Sequence, residues 1–284
     1  MKIGIIGPGV YGIALGKELS KYNDVLYYTM LDSEYNLLKN DYNITTDIKK
    51  IEDTDLIIIA LSSLYIDKIN LNIDENKQIL IATKGLINGT YVKDYIYNKT
   101  KCNNISIIAG PSFANEMNDI TCFTISTKSD FYKNIKTDNF KFEYIDNDKG
   151  IALCSTLKNI YAFGFGILDK CTYTTKMAFL TDCFKEMKYL FECLNIDTNI
   201  LFSYAGIGDF VLTTTSSSSR NYTFGKMLAL KEDINEFKKT NTIECISNIN
   251  ELKSLIKDID LKIINILYNV IKDENTSYLD NYFN

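Results

Sequence analysis

Lys2-Ile3-Gly4-Ile5-Ile6-Gly7-Pro8-Gly9-Val10-Tyr11-Gly12 is the stretch from which the fold can be read. Lys2–Ile6 reads as a buried strand, and Gly7–Gly12 fits GxGxxG between that strand and a helical pattern, the context the motif requires. Gly7 makes the tight turn, Gly9 lets backbone approach a pyrophosphate, and Gly12 lets the helix pack close on the strand while its N-terminus faces the anion. The turn predicts dinucleotide binding.

Outward from this turn, short β-rich runs alternate with helical patterns. Strands are expected at Lys2–Ile6, Asp24–Thr29, Leu56–Leu61, Gln78–Thr83, Ile105–Ala109, Cys122–Thr127 and Phe140–Asp146. Several are continuous Ile/Leu runs, as in strands buried on both faces, and the alternation predicts a parallel doubly wound sheet. Near Asp146–Gly150 the texture changes to long helical patterns, roughly Lys149–Asp169, Thr174–Leu194, Asn221–Leu230 and Asn248–Lys272. The expected organisation is an α/β chain with a dinucleotide-binding domain over 1–147 and a helical substrate-binding domain over 148–284. The second strand ends in Thr29-Met30-Leu31-Asp32, with Asp32 a possible ribose ligand and no cation before Lys39, which leans toward NADH over NADPH.

Composition narrows the chemistry. A net charge of -5 and a pI near 5.0 do not fit a nucleic-acid binder with a clustered basic face. No apolar run approaches membrane-spanning length, and glycines interrupt the first one, so a strand rather than a signal peptide is expected and a cytoplasmic location with it. Seven cysteines form no CxxC pair, which suits a reducing compartment; no metal site is expected. There is no histidine, so any general acid or base must be Lys, Asp, Glu, Tyr or Cys.

Rare residue types point to the site. The one arginine among 31 basic residues is Arg220, in Ser219-Arg220-Asn221 after the Ser/Thr-rich run Thr213–Ser219, where it is expected on a loop. A lone guanidinium in a lysine-rich chain suggests a need for forked donors toward carboxylate or phosphate. Of two prolines, one lies in the glycine turn and the other in Gly110-Pro111-Ser112-Phe113 at a strand end, where open α/β sheets hold ligands. Thr83-Lys84-Gly85 also follows a strand. Lys158 sits in an otherwise apolar helical run and must either snorkel or serve a site, and Asp209 ends the glycine-rich turn Ala205–Asp209.

In their order and spacing these pieces resemble the NAD(P)-dependent glycerol-3-phosphate dehydrogenases of the bacterial type. The likeness runs through Gly7–Gly12, Thr83-Lys84-Gly85, Gly110–Glu116, Leu157-Lys158-Asn159, Ala205–Asp209, Leu212-Thr213, Ser219-Arg220-Asn221, Phe224-Gly225 and Ile243-Glu244. It implies a Rossmann-like N-terminal domain on an all-helical C-terminal one, with the substrate between them. It implies reduction of dihydroxyacetone phosphate to sn-glycerol 3-phosphate, feeding phospholipid synthesis, in a cytoplasmic homodimer. Lys158 would be the general acid/base, flanked by Lys84 and Asp209. Substrate would also meet Gly110, Ser112, Thr213, Ser219, Arg220 and Asn221, with the phosphate on the last four. The cofactor would meet Gly7, Gly9, Val10, Tyr11, Gly12, Met30, Lys84, Ala114, Arg220 and Glu244. The chain departs from the family in a shorter segment after the second strand, in Met30 for a frequent basic residue, in Ser62-Ser63 for Pro-Ser and in Asp182-Cys183 for Arg-Gly.

Three other readings carry less. Six Tyr-x-x-x-Lys matches among 20 tyrosines are noise, and the glycine turn is the wrong type for a short-chain dehydrogenase. A β-hydroxyacid or ketopantoate-type reductase shares the two-domain plan. A dinucleotide-sensing module would need the turn but not Lys158, Asp209 and Arg220 together.

Overall fold

The chain is described by a computed structural model over residues 1–83, 85–280 and 282. Its strands are β1 (Lys2–Ile6), β2 (Asp24–Tyr28), β3 (Ile44–Thr45), β4 (Leu56–Ile59), β5 (Gln78–Ile81), the short pair β6 (Leu86–Ile87) and β7 (Thr90–Tyr91), β8 (Ile105–Ala109), β9 (Thr121–Ser126) and β10 (Phe140–Ile145). Between them lie α1 (Val10–Leu19), α2 (Asp32–Leu38), α3 (Ile48–Glu52) and α4 (Val92–Thr100). After β10 the described residues hold no strand; they form α5 (Asp148–Ile167), α6 (Tyr173–Cys193), α7 (Asp209–Thr215), α8 (Arg220–Ala229), α9 (Asn235–Thr240), α10 (Glu244–Leu255) and α11 (Lys262–Asp273).

Eight strands form one sheet in the order β10-β9-β8-β5-β4-β1-β2-β3. β1 lies at its middle, with Ile3 paired in parallel to Val25 on one side and Leu56 on the other. The chain leaves β1 toward β2 and returns to β4, so the strand order reverses between β1 and β4. A crevice opens at such a reversal beyond the strands' carboxyl ends. The expected strands are all present, several one or two residues shorter at that edge, where Ala60-Leu61 and Ala82 diverge to line the crevice.

The expectation of a parallel sheet needs one correction. β8 and β9 are antiparallel, so β9 and β10 run opposite to the rest. Residues 110–120 contain a single short turn of helix rather than a full crossover, and a short return brings the chain back antiparallel. The β6–β7 hairpin was not expected, although Asn88-Gly89 at its tip has φ of 50° and 67° and is a tight-hairpin signature.

The two faces of the sheet have different covers. Ile3, Ile5, Ile58 and Leu80 pack with Leu15 and Leu19 of α1 and with Phe123 and Tyr132. Ile57, Ile59, Ile79, Ile81 and Ile107 share one continuous core with Leu153, Leu157 and Tyr161 of α5 and with the helices beyond it. α5 is buried from Gly150 to Gly166, as a helix apolar all round must be.

Two helical expectations change. The run Asn248–Lys272 is two helices, because Glu186 of α6 takes the amides of Ile263 and Ile264 at 2.7 and 3.0 Å and holds a new helix start there. α10 also begins earlier than expected, at Glu244. Arg220 is not on a loop: it is the first residue of α8, whose N-cap is Ser219, and Asp209 likewise opens α7.

Candidate active site

The crevice holds a cavity of about 490 Å³ between the carboxyl edge of the sheet and the helices. Its sheet wall is mostly backbone and small side chains: Gly9, Val10 and Tyr11 after β1, Ala60–Ser63 after β4, Ala82 after β5, and Ser112–Asn115 after β8. Gly7 turns at φ +99°, and a Cβ on Gly12 would lie 2.1 Å from the Gly7 carbonyl oxygen, so neither tolerates a side chain. A Cβ on Gly9 would meet nothing within 4 Å, and α1 begins there with no side-chain cap on its first amides. Open space before uncapped helix amides fits a pyrophosphate. Tyr11 Oη and Ser112 Oγ lie 3.3 Å apart and tie the glycine turn to the turn after β8.

The opposite wall is built from side chains of four helices. Lys158 of α5 and Asp209 of α7 form a hydrogen-bonded ion pair, each residue 2% exposed. Asp209 also accepts from the Thr213 hydroxyl one turn on, at 3.3 Å. Burying an ion pair costs several kcal/mol of hydration per ion, so a buried pair is a weak device for stability and a strong pointer to function when it faces a cavity. Cys154, one turn before Lys158, is fully buried, and burial pushes its thiol well above the usual range; it is a neutral packing group.

The sequence reading missed Asn159, which organises this wall. Its amide nitrogen donates to Glu244 of α10 at 2.9 Å and to the Ser155 carbonyl at 3.2 Å, and its oxygen accepts from Asn221 at 3.1 Å. Asn221 in turn accepts from the Cys245 amide at 2.9 Å. This chain ties α5, α8 and α10 together and occupies both ends of the Asn221 side chain. It is possible because α5 and α8 cross closely: a Cβ on Gly225 would lie 2.0 Å from the Phe163 carbonyl oxygen, and one on Gly166 2.0 Å from that of Tyr222. Arg220 stays half exposed at the rim, with a nitrogen 3.9 Å from a Glu244 oxygen.

A second group missed in the sequence is the anchor under Asp209. Glu143 on β10 accepts from the Tyr204 amide at 2.8 Å and from the Thr124 hydroxyl at 2.5 Å, and Thr124 accepts from the Ala205 amide at 2.9 Å. The turn that delivers Asp209 is thereby bolted to the sheet edge. Only pairing across strands brings these residues together, so no short motif carries them.

Of the expected site residues, Gly9, Val10, Tyr11, Ser112, Ala114, Lys158, Asp209, Thr213, Ser219, Arg220, Asn221 and Glu244 line one cleft. Gly7 and Gly12 shape the turn from behind, and Gly110 does the same for the turn after β8, where a Cβ would lie 2.3 Å from the Cys122 carbonyl oxygen. Met30 and Asp32 are exposed at the end of β2 and do not line the cleft. The carboxylate brought to that strand end is Glu34, hydrogen-bonded by Thr29. Lys84 lies outside the described residues. The departure at Asp182-Cys183 is remote from the cleft: Asp182 accepts from Tyr282 at 2.8 Å, and Cys183 is buried core.

Two family models match the chain, NAD-dependent glycerol-3-phosphate dehydrogenase N-terminus over residues 35–133 and C-terminus over residues 148–278. The glycerol-3-phosphate dehydrogenase [NAD(P)+] of Staphylococcus haemolyticus is 29% identical, over 96% of this chain and 94% of that protein. The crystal structure of glycerol-3-phosphate dehydrogenase from Coxiella burnetii has the same fold, with a TM-score of 0.91 at 23% identity, over 99% of this chain and 98% of that one. The probable 2-dehydropantoate 2-reductase of Bacillus subtilis is more distant, with a TM-score of 0.65 at 15% identity, over 97% and 100% of the two chains. With the two models matched in order, one from α2 to residue 133 and the other over the helices that complete the cleft, the chain belongs to the NAD(P)-dependent glycerol-3-phosphate dehydrogenase family.

Proposed function

We propose that this enzyme reduces dihydroxyacetone phosphate to sn-glycerol 3-phosphate, reversibly, with Lys158 as its proton donor. The observation that carries the reading is the buried Lys158–Asp209 pair, set in one cleft between a dinucleotide turn and the start of α8. A nicotinamide held in this cleft would supply the hydride for the substrate's C2. As that carbon is reduced, its oxygen gains negative charge and needs a proton. The Lys158 ammonium donates it, and Asp209 holds the ammonium in place. In the reverse direction Lys158 takes the hydroxyl proton. Lys84 adds a second cation in the sequence reading.

The substrate phosphate sits at the N-terminus of α8. Arg220 and Asn221 are in its first turn, where backbone amides have no carbonyl within the helix to bond to, and the Arg220 guanidinium reaches from the rim. Ser219 caps the helix, with its hydroxyl accepting from the Tyr222 amide at 3.4 Å. Asn221 acts chiefly through its backbone, since its side chain is engaged with Asn159 and Cys245. At the adenosine end, Glu34 and the absence of a cation beside Thr29 support NADH being used at least as well as NADPH. Among the described residues no helix is long and apolar enough to cross a membrane. A cytoplasmic homodimer supplying glycerol phosphate for phospholipids fits the family.

NADH oxidation by the purified protein, with dihydroxyacetone phosphate and with ketopantoate in parallel, tests the reading. Turnover with the first is expected. Turnover with ketopantoate alone would assign the chain to the other reductase class, and NADH binding without turnover on either would make it a sensor.

A further inference from the structure

We infer that Asn248 is a ligand of the nicotinamide half of the dinucleotide, donating its amide N–H to a carbonyl or hydroxyl oxygen there; this contact rests on the cofactor reading above. Glu244, Ser247 and Asn248 stand at helical spacing on α10, and all three line the cleft. Glu244 is already engaged with Asn159. Asn248 is 3% exposed, and its side-chain nitrogen is buried with no hydrogen-bond partner. Among the described residues one other buried side-chain polar atom shares that condition, Gln78 Oε1, at the amino end of β5 and away from this cleft.

A buried amide without an acceptor destabilises the fold that keeps it, and native structures hold few of them. Here the donor belongs to a residue of the cleft wall, and the missing acceptor is one that a ligand can bring. The setting favours the cofactor over the triose. On the sheet side the same cleft is lined by Ala60, Leu61 and Ala82, beside Ser62 and Ser63, and the three apolar residues offer carbon surface to a flat ring whose edge carries a carboxamide. The proton-transfer pair stands on α5 and α7, not on α10.

The backbone that carries the residue is fastened to the segment it faces. Asn248 Oδ1 lies where a Cβ on Gly85 would be 2.9 Å away, and Gly85 itself turns at φ +97° after β5. One turn further along α10, Glu251 accepts from the Gly89 amide at 2.5 Å, so α10 is fastened to the segment that follows β5. A donor on a helix fastened in this way needs no movement of its backbone when the acceptor arrives.

The test uses the whole protein with NADH alone. Dissociation constants by fluorescence titration, ligand-free Tm, and KM for dihydroxyacetone phosphate at saturating NADH are compared for wild type, Asn248→Leu and Asn248→Asp. Asn248→Leu is expected to weaken NADH roughly three- to tenfold while leaving the ligand-free Tm equal or higher, since an orphaned donor has been removed. Asn248→Asp keeps the shape but replaces the N–H donor with an acceptor, so it should weaken NADH at least as much even if the leucine variant does not fold. KM for the triose should stay within about twofold. Unchanged NADH affinity in both variants overturns the contact, whether Tm falls, which makes the residue structural, or KM rises, which makes it a substrate ligand. Failure of the wild type to bind NADH would overturn the cofactor reading itself.

Discussion

The two walls of the cleft are built on opposite plans. The sheet wall offers backbone: a glycine turn, the open end of α1, and small side chains after β4 and β5. The helical wall offers side chains, with Lys158, Asp209, Asn159, Asn221 and Glu244 joined across four helices. A backbone site is encoded by a few adjacent residues, because one turn presents all its donors. A side-chain site needs groups from distant positions, and its geometry is only as good as the packing beneath them. In this chain the polar groups of the helical wall are fixed by tight α5–α8 crossing and by the Glu143 anchor.

The largest effect should come from the helical wall. Lys158→Ala is expected to lower kcat by roughly 10²–10⁴, the usual worth of a general acid, with NADH affinity nearly unchanged. Because the change strands Asp209 in a buried site, Lys158→Ala/Asp209→Asn should recover thermal stability without recovering turnover. Stopped-flow turnover beside NADH titration checks both, and ordinary kcat in either variant would remove Lys158 from the chemistry. If NADH binding collapsed too, the two walls would not be separable.

Next is the rim. Arg220→Lys keeps the charge but loses the fork, and one charge-assisted hydrogen bond is worth about 1.5–3 kcal/mol, so kcat/KM for dihydroxyacetone phosphate should fall roughly ten- to a hundredfold. The loss should largely vanish with unphosphorylated dihydroxyacetone. If the ratio of the two substrates stays constant, Arg220 does not hold the phosphate.

The end of β2, on the sheet side but outside the cleft lining, should respond more gently. Wild type is expected to use NADH at least as well as NADPH by kcat/KM, and Met30→Arg to improve NADPH roughly fivefold, a modest gain because the position is exposed. A strong NADPH preference in the wild type would show that the adenosine end is held by something other than the end of β2.

The smallest effect concerns the frame of the helical wall. Asp169, after α5, accepts from Tyr222 at 2.6 Å and pairs with Lys226 at 3.1 Å, both on α8. The Tyr222 hydroxyl, and Lys226 after it, hold its carboxyl below the usual carboxylate range. A depressed folded-state pKa stabilises the fold above the unfolded value and loses that contribution as pH falls through the folded one. Asp169→Asn should therefore lower Tm slightly near neutrality, with the difference from wild type closing only in strong acid. A Tm difference independent of pH would mean that the contact matters as packing, not as charge.

The legibility of the sequence follows the same division. Seven of the eight strands of the sheet (all but the two-residue β3), the glycine turn and the change to helices after β10 could be read from short runs, because each depends on neighbours within a turn or a strand. Arg220 could be picked out as a rare type, and Lys158 and Asp209 by their settings, an otherwise apolar helical run and a glycine-rich turn. Asn159, Glu143 and Asn248 could not, because an asparagine in a helix or a glutamate on a strand carries no local mark of what lies across from it. The reversed direction of β9 and β10, both expected as strands, was missed for a related reason: direction depends on how residues 110–120 return, not on the strand's own composition.

By itself the sequence determined a dinucleotide turn on an α/β sheet, a helical second half, the exclusion of histidine as an acid or base, and a single arginine of the kind that suits phosphate. Tertiary structure alone decided which of these groups meet. It paired Lys158 with Asp209, tied α5 to α8 and α10 through Asn159, placed Glu34 rather than Asp32 at the end of β2, and left the Asn248 amide without an acceptor. The physical reason is range. Backbone conformation and apolar periodicity are set within a few residues, whereas burial and hydrogen-bond partnership are set by whatever the fold brings within about 3 Å.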